Sequence, residues 1–406
     1  MGTHNHTHNF SEYYDFSGKA KTWSLIALLV GAAAIAYGFL SGNGERTFAN
    51  LLLMGYYATG VCVAATFFLA VQYVAQAGWS AGILRVPQAF SKVLPVMSLI
   101  LIVIIAAGLF SHNLYHHWNH EGIAEPGHAN FDPIVAKKAS YLNVPFFLTR
   151  VVIFLALYSI FAYLLPKLSH NEDLAGGLNN YKKSFKWACV FLVIFGFTSP
   201  IWAFDTIMSL EAHWFSTMFG WYNFAAWWVT SLCAITIVVI LLKRAGHMTW
   251  VNDNHLHDLG KFIFAFSIFW TYVWFAQFLL IWYANIPEET VYFYKRWEPE
   301  YKPWFWLNIV INFVAPILIL MSRDAKRREN TLLFVCIVLL LGHWLDYYLM
   351  VMPGTVEEHR GFGIIEIGTA LGFTGLLSFL TLTNLAKKPL VPVNHPFLDE
   401  SLHHHI

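Results

Sequence analysis

The sequence predicts an all-α integral membrane protein of about ten transmembrane helices. Two observations carry this. Hydrophobic residues make up 57% of the 406 positions and charged residues only 12%. Soluble domains carry roughly 25% charge, so this chain cannot cover a water-facing surface. Its apolar runs are also about 20 residues long rather than about 10, which selects helices over barrel strands.

Ten windows qualify as spans: 22–40, 48–76, 87–110, 143–166, 184–208, 218–243, 258–284, 302–321, 331–352 and 361–384. Residues 1–21 then form a short N-terminal segment, 22–384 the membrane domain and 385–406 a C-terminal tail. An even number of spans puts both termini on one side. Seventeen Lys and Arg fall on that side and seven on the other. The positive-inside rule therefore predicts cytoplasmic termini, with loops 111–142 and 285–301 outside. Below, these two sides are the terminal face and the long-loop face.

The first run follows Lys19 and Lys21. "AIA" at 34–36 resembles a cleavage site, but the run continues to Leu40, as an ordinary span does. Prolines near span ends (Pro95, Pro145, Pro166, Pro200, Pro316) allow kinks. The loop "SHNLYHHWNHEGIAEPGH" places His112, His116 and His120 at i, i+4, i+8. On a helix they would share one face and offer a candidate metal or haem-ligand site. The plainer reading is an amphipathic interfacial helix.

The fourth run, "YLNVPFFLTRVVIFLAL", carries Arg150 about two turns deep, where it either snorkels or finds a partner. The fifth ends in "WAFDTIMSLEAHW". Asp205 precedes the exit and shares a helix face with Ser209; Glu211 and His213 follow at the interface. A carboxylate in lipid is expensive unless paired or protonated, so Asp205 is a functional candidate and a partner for Arg150. The seventh run buries Gln277 and is followed by Glu288 and Glu289 at the surface. Asn308 and Asn312 share a face of the eighth. The ninth, "LLLGHWLDYYLMVMP", sets His343 three residues before Asp346, with Tyr347 beside them. Such a pair suits a proton relay or a quinol headgroup. Glu366 sits just inside the tenth run. Arg150, Asp205, Gln277, His343, Asp346 and Glu366 all map to long-loop halves, so the sequence predicts a polar pocket open on that side and a drier terminal half.

A net charge of +1 and the lack of a basic stripe argue against a nucleic-acid partner. Cys62, Cys189, Cys233 and Cys336 stand alone in apolar runs. No CxxC or CxxCH occurs, which leaves no motif for an iron–sulfur cluster, a thiolate zinc site or covalent c-type haem.

"KKASYLNVPFFLTR", "FDTIMSLEAHWFSTMFGWY", "FLLIWYANIPEETVYF" and "LDYYLMVMP" resemble signature stretches of the quinone-binding membrane subunits of bacterial alternative complex III, within the NrfD/PsrC-like family. Length and span number fit the shorter of its two related subunits. The resemblance implies two four-helix bundles, spans two to five and six to nine, with two flanking helices in the bacterial inner membrane. It also implies quinol oxidation on the outer side, with menaquinone or ubiquinone as the quinone. Electrons would pass to iron–sulfur and multihaem c-type cytochrome partners, beside the related membrane subunit. Arg150, Asp205, His343, Asp346, Glu366 and Gln277 would then serve a quinone or proton pathway. Glu211, His213, Glu288 and Glu289 would form a polar cluster on the outer face. The composition also admits a proton-coupled secondary transporter, or a haem b carrier through His343.

Overall fold

All ten apolar runs fold as helices long enough to cross a bilayer. They are Lys19–Leu40, Gly44–Val74, Arg85–Phe110, Val144–Ala175, Asn179–Thr206, Phe219–Arg244, Asp253–Ala284, Lys302–Leu320, Glu329–Thr355 and Ile364–Leu385. The computed structural model describes residues 10–356 and 360–405. Among these the only strand-like feature is an isolated bridge between Tyr13 and Pro389.

Spans two to five pack on one another, as do spans six to nine. The second span lies at the seam, against the sixth and ninth, and is buried nearly all round. That suits a helix apolar on every face. Aromatic rings fill the seam: Trp202 stacks on Trp227 at 4.7 Å, and Tyr56 lies 4.8 Å from Trp202. The first and tenth spans pair outside the bundles through small residues. A Cβ on Gly31 would stand 2.2 Å from the Gly372 Cα, so only hydrogen fits there. Lipid gives packed helices no hydrophobic drive, and close backbone approach substitutes for it.

Several helices overrun their apolar cores. The fourth continues past the expected residue 166 to Ala175, and the fifth starts at Asn179. The turn between them uses Gly176 and Gly177, at φ 64° and 69°, a conformation that side chains disfavour. In the eighth span, the Pro316 ring opposes the carbonyl four residues back. The helix widens there into a π-turn over Val310–Val314, with Ala315 N–H bonded to Val310 O. This turn carries Asn312.

The 111–132 segment is a series of turns, not a helix. His112 and Tyr115 sit at φ 55° and 60°. The expectation of a shared helical face for His112, His116 and His120 is therefore corrected. Gly122, Pro126 and Gly127 break the segment, and spacing alone does not make a helix. After the seventh span, Asn285 in the left-handed conformation ends the helix. A short amphipathic helix, Pro287–Arg296, then covers the long-loop end of the second bundle with Tyr292, Phe293 and Arg296 turned inward.

On the terminal face, the tail lies across both bundles. Leu390 N–H bonds Glu12 O, Ser401 Oγ donates to Trp79 O at 2.8 Å, and His404 meets Asp258 at 2.8 Å. The drier terminal half that the sequence suggests is not what forms. Arg85, Glu172, Asp258 and His255 are all buried there, because the helices run on past the apolar core and the tail covers their ends.

Candidate functional site

Each bundle buries one aspartate in its long-loop half, and the two are held differently. In the first bundle, Arg150 reaches from the fourth span to Asp205 on the fifth. Nε donates to Oδ2 at 2.8 Å and Nη2 to Oδ1 at 3.0 Å. Nη1 donates to Tyr141 O at 3.1 Å, and the Tyr141 hydroxyl donates to Asp205 Oδ1 at 2.9 Å. The guanidinium lies 3.8 Å from the Tyr141 ring centre and 4.2 Å from that of Phe146. Burial, then the charge of Asp205, pushes the Tyr141 hydroxyl above its ordinary range. Such a two-pronged, aromatic-walled pair is closed on itself. Ser209 is not on the same helix, which ends at Thr206; its hydroxyl bonds back to Asp205 O from a 3₁₀ turn.

In the second bundle, Asp346 accepts one hydrogen bond from each of the other three spans. Tyr222 OH comes from the sixth span and Trp270 Nε1 from the seventh, at 3.0 Å. Asn308 Nδ2 comes from the eighth, at 2.9 Å. Asn312, on the π-turn, donates to Asn308 Oδ1 at 2.6 Å and so fixes which side of that amide faces Asp346. Among the described residues no Lys or Arg forms an ion pair with Asp346. His343 Nδ1 stands 3.7 Å from its Oδ2, too far for a hydrogen bond. Both ring nitrogens of His343 are buried without a bond, and Trp270 meets the ring edge-on at 5.5 Å.

From the donors of Asp346 toward the long-loop face, a small cleft and then a larger pocket follow. Tyr222 and Asn308 line a cleft with Gln277, Tyr292 and Arg296. Its volume of ≈ 10 Å³ holds about one water. Gln277 is buried there with its Oε1 unbonded. Arg296 closes the cleft: Nη2 donates to Glu211 Oε1 at 2.7 Å, Nη1 donates to Tyr292 O at 2.6 Å, and the guanidinium lies 3.3 Å from the Tyr292 ring centre. Burial alone would lower the Arg296 pKa, but Glu211 and Tyr292 hold it above its ordinary value.

Beyond this pair opens a pocket of ≈ 270 Å³, lined by His117, Glu211, His213, Trp214, Glu288 and Lys295 among others. One wall is Trp214 stacked on Tyr292 at 3.8 Å and 14°. His213 Nε2 meets Asp132 Oδ2 at 2.5 Å. Burial tends to raise the Asp132 carboxyl, but bonds from His213 and from the backbone of Val135 and Ile134 outweigh it, leaving it below the usual range. His117 is pushed down to about 4 by burial and then by His116, Lys295 and His213.

No family model matches the sequence, and no curated protein matches it.

The structure thus brings some expected residues together and separates others. Arg150 and Asp205 pair. His343, Asp346 and Gln277 belong to the second bundle, connected through Glu211 to the pocket that His213 and Glu288 line. Glu289, the next residue on the same short helix, does not line it. Glu366 stands apart: Arg46 grips it at 2.6 and 2.7 Å, and Asn50 and the Gly363 N–H complete its shell. It ties the second span to the start of the tenth. Among the described residues no group of three His, Cys, Asp or Glu has metal-binding geometry; His112 and His120 stack at 6.2 Å instead. Arg296, Tyr222 and Trp270 were not anticipated. Arg296 reads in sequence as a loop charge, and the two aromatic residues read as ordinary core.

Proposed function

We propose that this chain is a membrane subunit of a quinol-oxidising respiratory complex of the alternative complex III type. The observation that supports this most is Asp346. It is a buried carboxylate that accepts three hydrogen bonds and, among the described residues, pairs with no Lys or Arg, and a narrow cleft and a ring-sized pocket lie between it and the long-loop face. A carboxylate without a counter-cation can exchange a proton, whereas one locked to an arginine cannot do so cheaply.

In this reading the quinol headgroup occupies the 270 Å³ pocket. The inner cleft, at ≈ 10 Å³, is too small for a ring and suits a water or a proton. Trp214 and Tyr292 supply the flat wall, and Glu211, His213 and Lys295 the polar contacts. Quinol oxidation yields two protons and two electrons. His213 stands where hydroxyl protons are released, Glu211 holds Arg296 beside it, and Gln277, Tyr222 and Asp346 continue the path inward. The electrons leave through partners, iron–sulfur and multihaem c-type cytochrome subunits, with a second related membrane subunit alongside. The exposed aromatics Phe215, Tyr294, Trp297 and Trp306 give the long-loop face the anchors that partner surfaces favour. The membrane is the bacterial inner membrane, with cytoplasmic termini.

The test is purification of the tagged chain from its native membrane in mild detergent. Cytochrome and iron–sulfur partners should co-purify, with quinol-dependent reduction of a haem band. A lone chain with substrate-dependent ion flux in vesicles would favour a transporter instead and end this proposal.

A further inference from the structure

A second site lies at the other end of the molecule, on the first bundle. At the terminal face, Arg85, Lys92, Lys387 and Lys388 crowd within electrostatic reach of one another. Arg85 is spoken for: it is buried, bonded to Gln88 Oε1 at 2.6 Å and to the Asp173 carboxylate. The three lysines are not. Among the described residues no carboxylate forms an ion pair with Lys92, Lys387 or Lys388. Lys388 Nζ instead donates to the neutral ring of His170, at 2.5 Å from Nε2. Burial and then the charge of Arg85 push the Lys388 ammonium down. Against these four cations stand Asp173 and the buried Glu172, so at least two positive charges stay uncompensated.

The helices beneath this cluster show which way it faces. On the third span, Lys92, Val96, Leu99 and Val103 follow one stripe at i, i+4, i+7, i+11. The last three are 43, 63 and 57% exposed, as lipid-facing residues are. On the fourth span, Ile160, Tyr163, Lys167 and His170 follow another, at i, i+3, i+7, i+10. Ile160 and Tyr163 are 57 and 61% exposed, and Lys167 Nζ lies 5.4 Å from the Tyr163 ring centre. The two spans touch, with Ser159 Oγ donating to Ser98 Oγ at 3.3 Å. Each stripe is basic at the terminal face and apolar deeper in. Together they have the polarity of an anionic amphiphile.

We infer that this flank binds an anionic phospholipid, its phosphate held by Lys92, Lys388 and Lys387 and its acyl chains lying along Val96, Leu99, Ile160 and Tyr163. The chemistry is phosphate against unpaired ammonium groups at the depth where headgroups sit. Basic pockets between membrane helices recognise anionic headgroups in this way. The unpaired lysines repel one another without it, so the bound lipid stabilises the junction of the third span, the fourth span and the tail.

The experiment measures the apparent melting temperature of the full chain, with any retained partners, in mixed micelles. Phosphatidylglycerol, phosphatidylcholine and inorganic phosphate are compared. Phosphatidylglycerol should raise it saturably, and phosphatidylcholine and phosphate should not. Affinity should fall about fivefold for each lysine removed, so the Lys92→Gln, Lys388→Gln double variant should lose the response. A charge-matched Lys182→Gln, Lys183→Gln control should keep it, as should the conservative Lys92→Arg, Lys388→Arg pair. The inference is overturned by equal shifts with phosphatidylcholine, by an equal shift with phosphate alone, or by equal loss in the control. If the glutamine variant does not fold, native mass spectrometry of the wild-type chain decides. Retained anionic phospholipid supports the site, and its absence from the folded chain purified in mild detergent without delipidation refutes it.

Discussion

Arg150 and Asp205 join the fourth and fifth spans through two near-parallel hydrogen bonds, of 2.8 and 3.0 Å, with the carboxylate fully buried. Tyr141 closes the arrangement from the loop. Removing one member leaves the other charged in a lipid-depth site, which typically costs about 3–5 kcal/mol. Arg150→Leu and Asp205→Leu should each lower the apparent melting temperature sharply. The double variant should recover much of that loss. Additive losses in the two-residue cycle would show that the contact carries no coupling. Quinol turnover in the double variant separates roles: its recovery marks the pair as structural.

Asp346 should behave in the opposite way. Three donors converge on it, and among the described residues no Lys or Arg forms an ion pair with it. Asp346→Asn keeps the shape but turns one acceptor into a donor that faces donors. We expect the variant to assemble with partners, with a stability loss of about 1–3 kcal/mol from the unsatisfied groups. Quinol oxidation should fall far more than assembly does. Near-normal turnover in assembled Asp346→Asn complex would remove Asp346 from the proton path.

Two histidines outside the spans set an acid limit. His117, through burial and then neighbouring cations, and His395, through burial and then Arg85, are both pushed from 6.5 to about 4. The unfolded chain takes up these protons near pH 6.5, whereas the folded chain resists until about pH 4. Their contribution to stability is therefore complete above pH 6.5 and is lost as pH falls toward 4. Apparent melting temperature should decline across that window. His117→Gln and His395→Gln should each flatten the decline without moving the neutral plateau by a similar amount. Unchanged slopes in both variants would show that other groups govern the acid limb.

The spans were legible because lipid demands long apolar runs, and Arg150 met Asp205 because counting residues from the entry points gave matching depths. Other features had no such signal. The reach of the helices beyond lipid is decided by packing and by the tail, so the buried charges at Arg85 and Glu172 were missed. Arg296 reads in sequence as a loop charge. Only the fold-back of Pro287–Arg296 reveals that its side chain points into the bundle. Trp270 and Tyr222 carry one polar atom each on a large apolar body, and sequence cannot show which way that atom faces. The histidine stripe failed for the reverse reason: its spacing was helical, while Gly and Pro nearby made the chain turn.

The Arg296–Glu211 pair should act as the door between the pocket and the inner cleft. Arg296 is 2% exposed, and its guanidinium fills the space between Tyr292, Glu211 and the Met350 carbonyl. Behind it Gln277 lies in a cleft with room for about one water. The thiol introduced by Gln277→Cys should therefore react slowly with a water-soluble, membrane-impermeant thiol reagent applied from the long-loop side. Cys62, Cys233 and Cys336 are buried, so a Cys189→Ala background leaves the introduced thiol as the one reporter with a route to the face. Arg296→Ala removes both the plug and the partner of Glu211, and labelling should become rapid. Glu211→Gln keeps the plug's volume opposite Arg296 but cancels the charge that holds it, so labelling should rise to an intermediate rate. Equal labelling rates in all three backgrounds would show that position 277 is reached by some other route and that the pair does not gate the cleft.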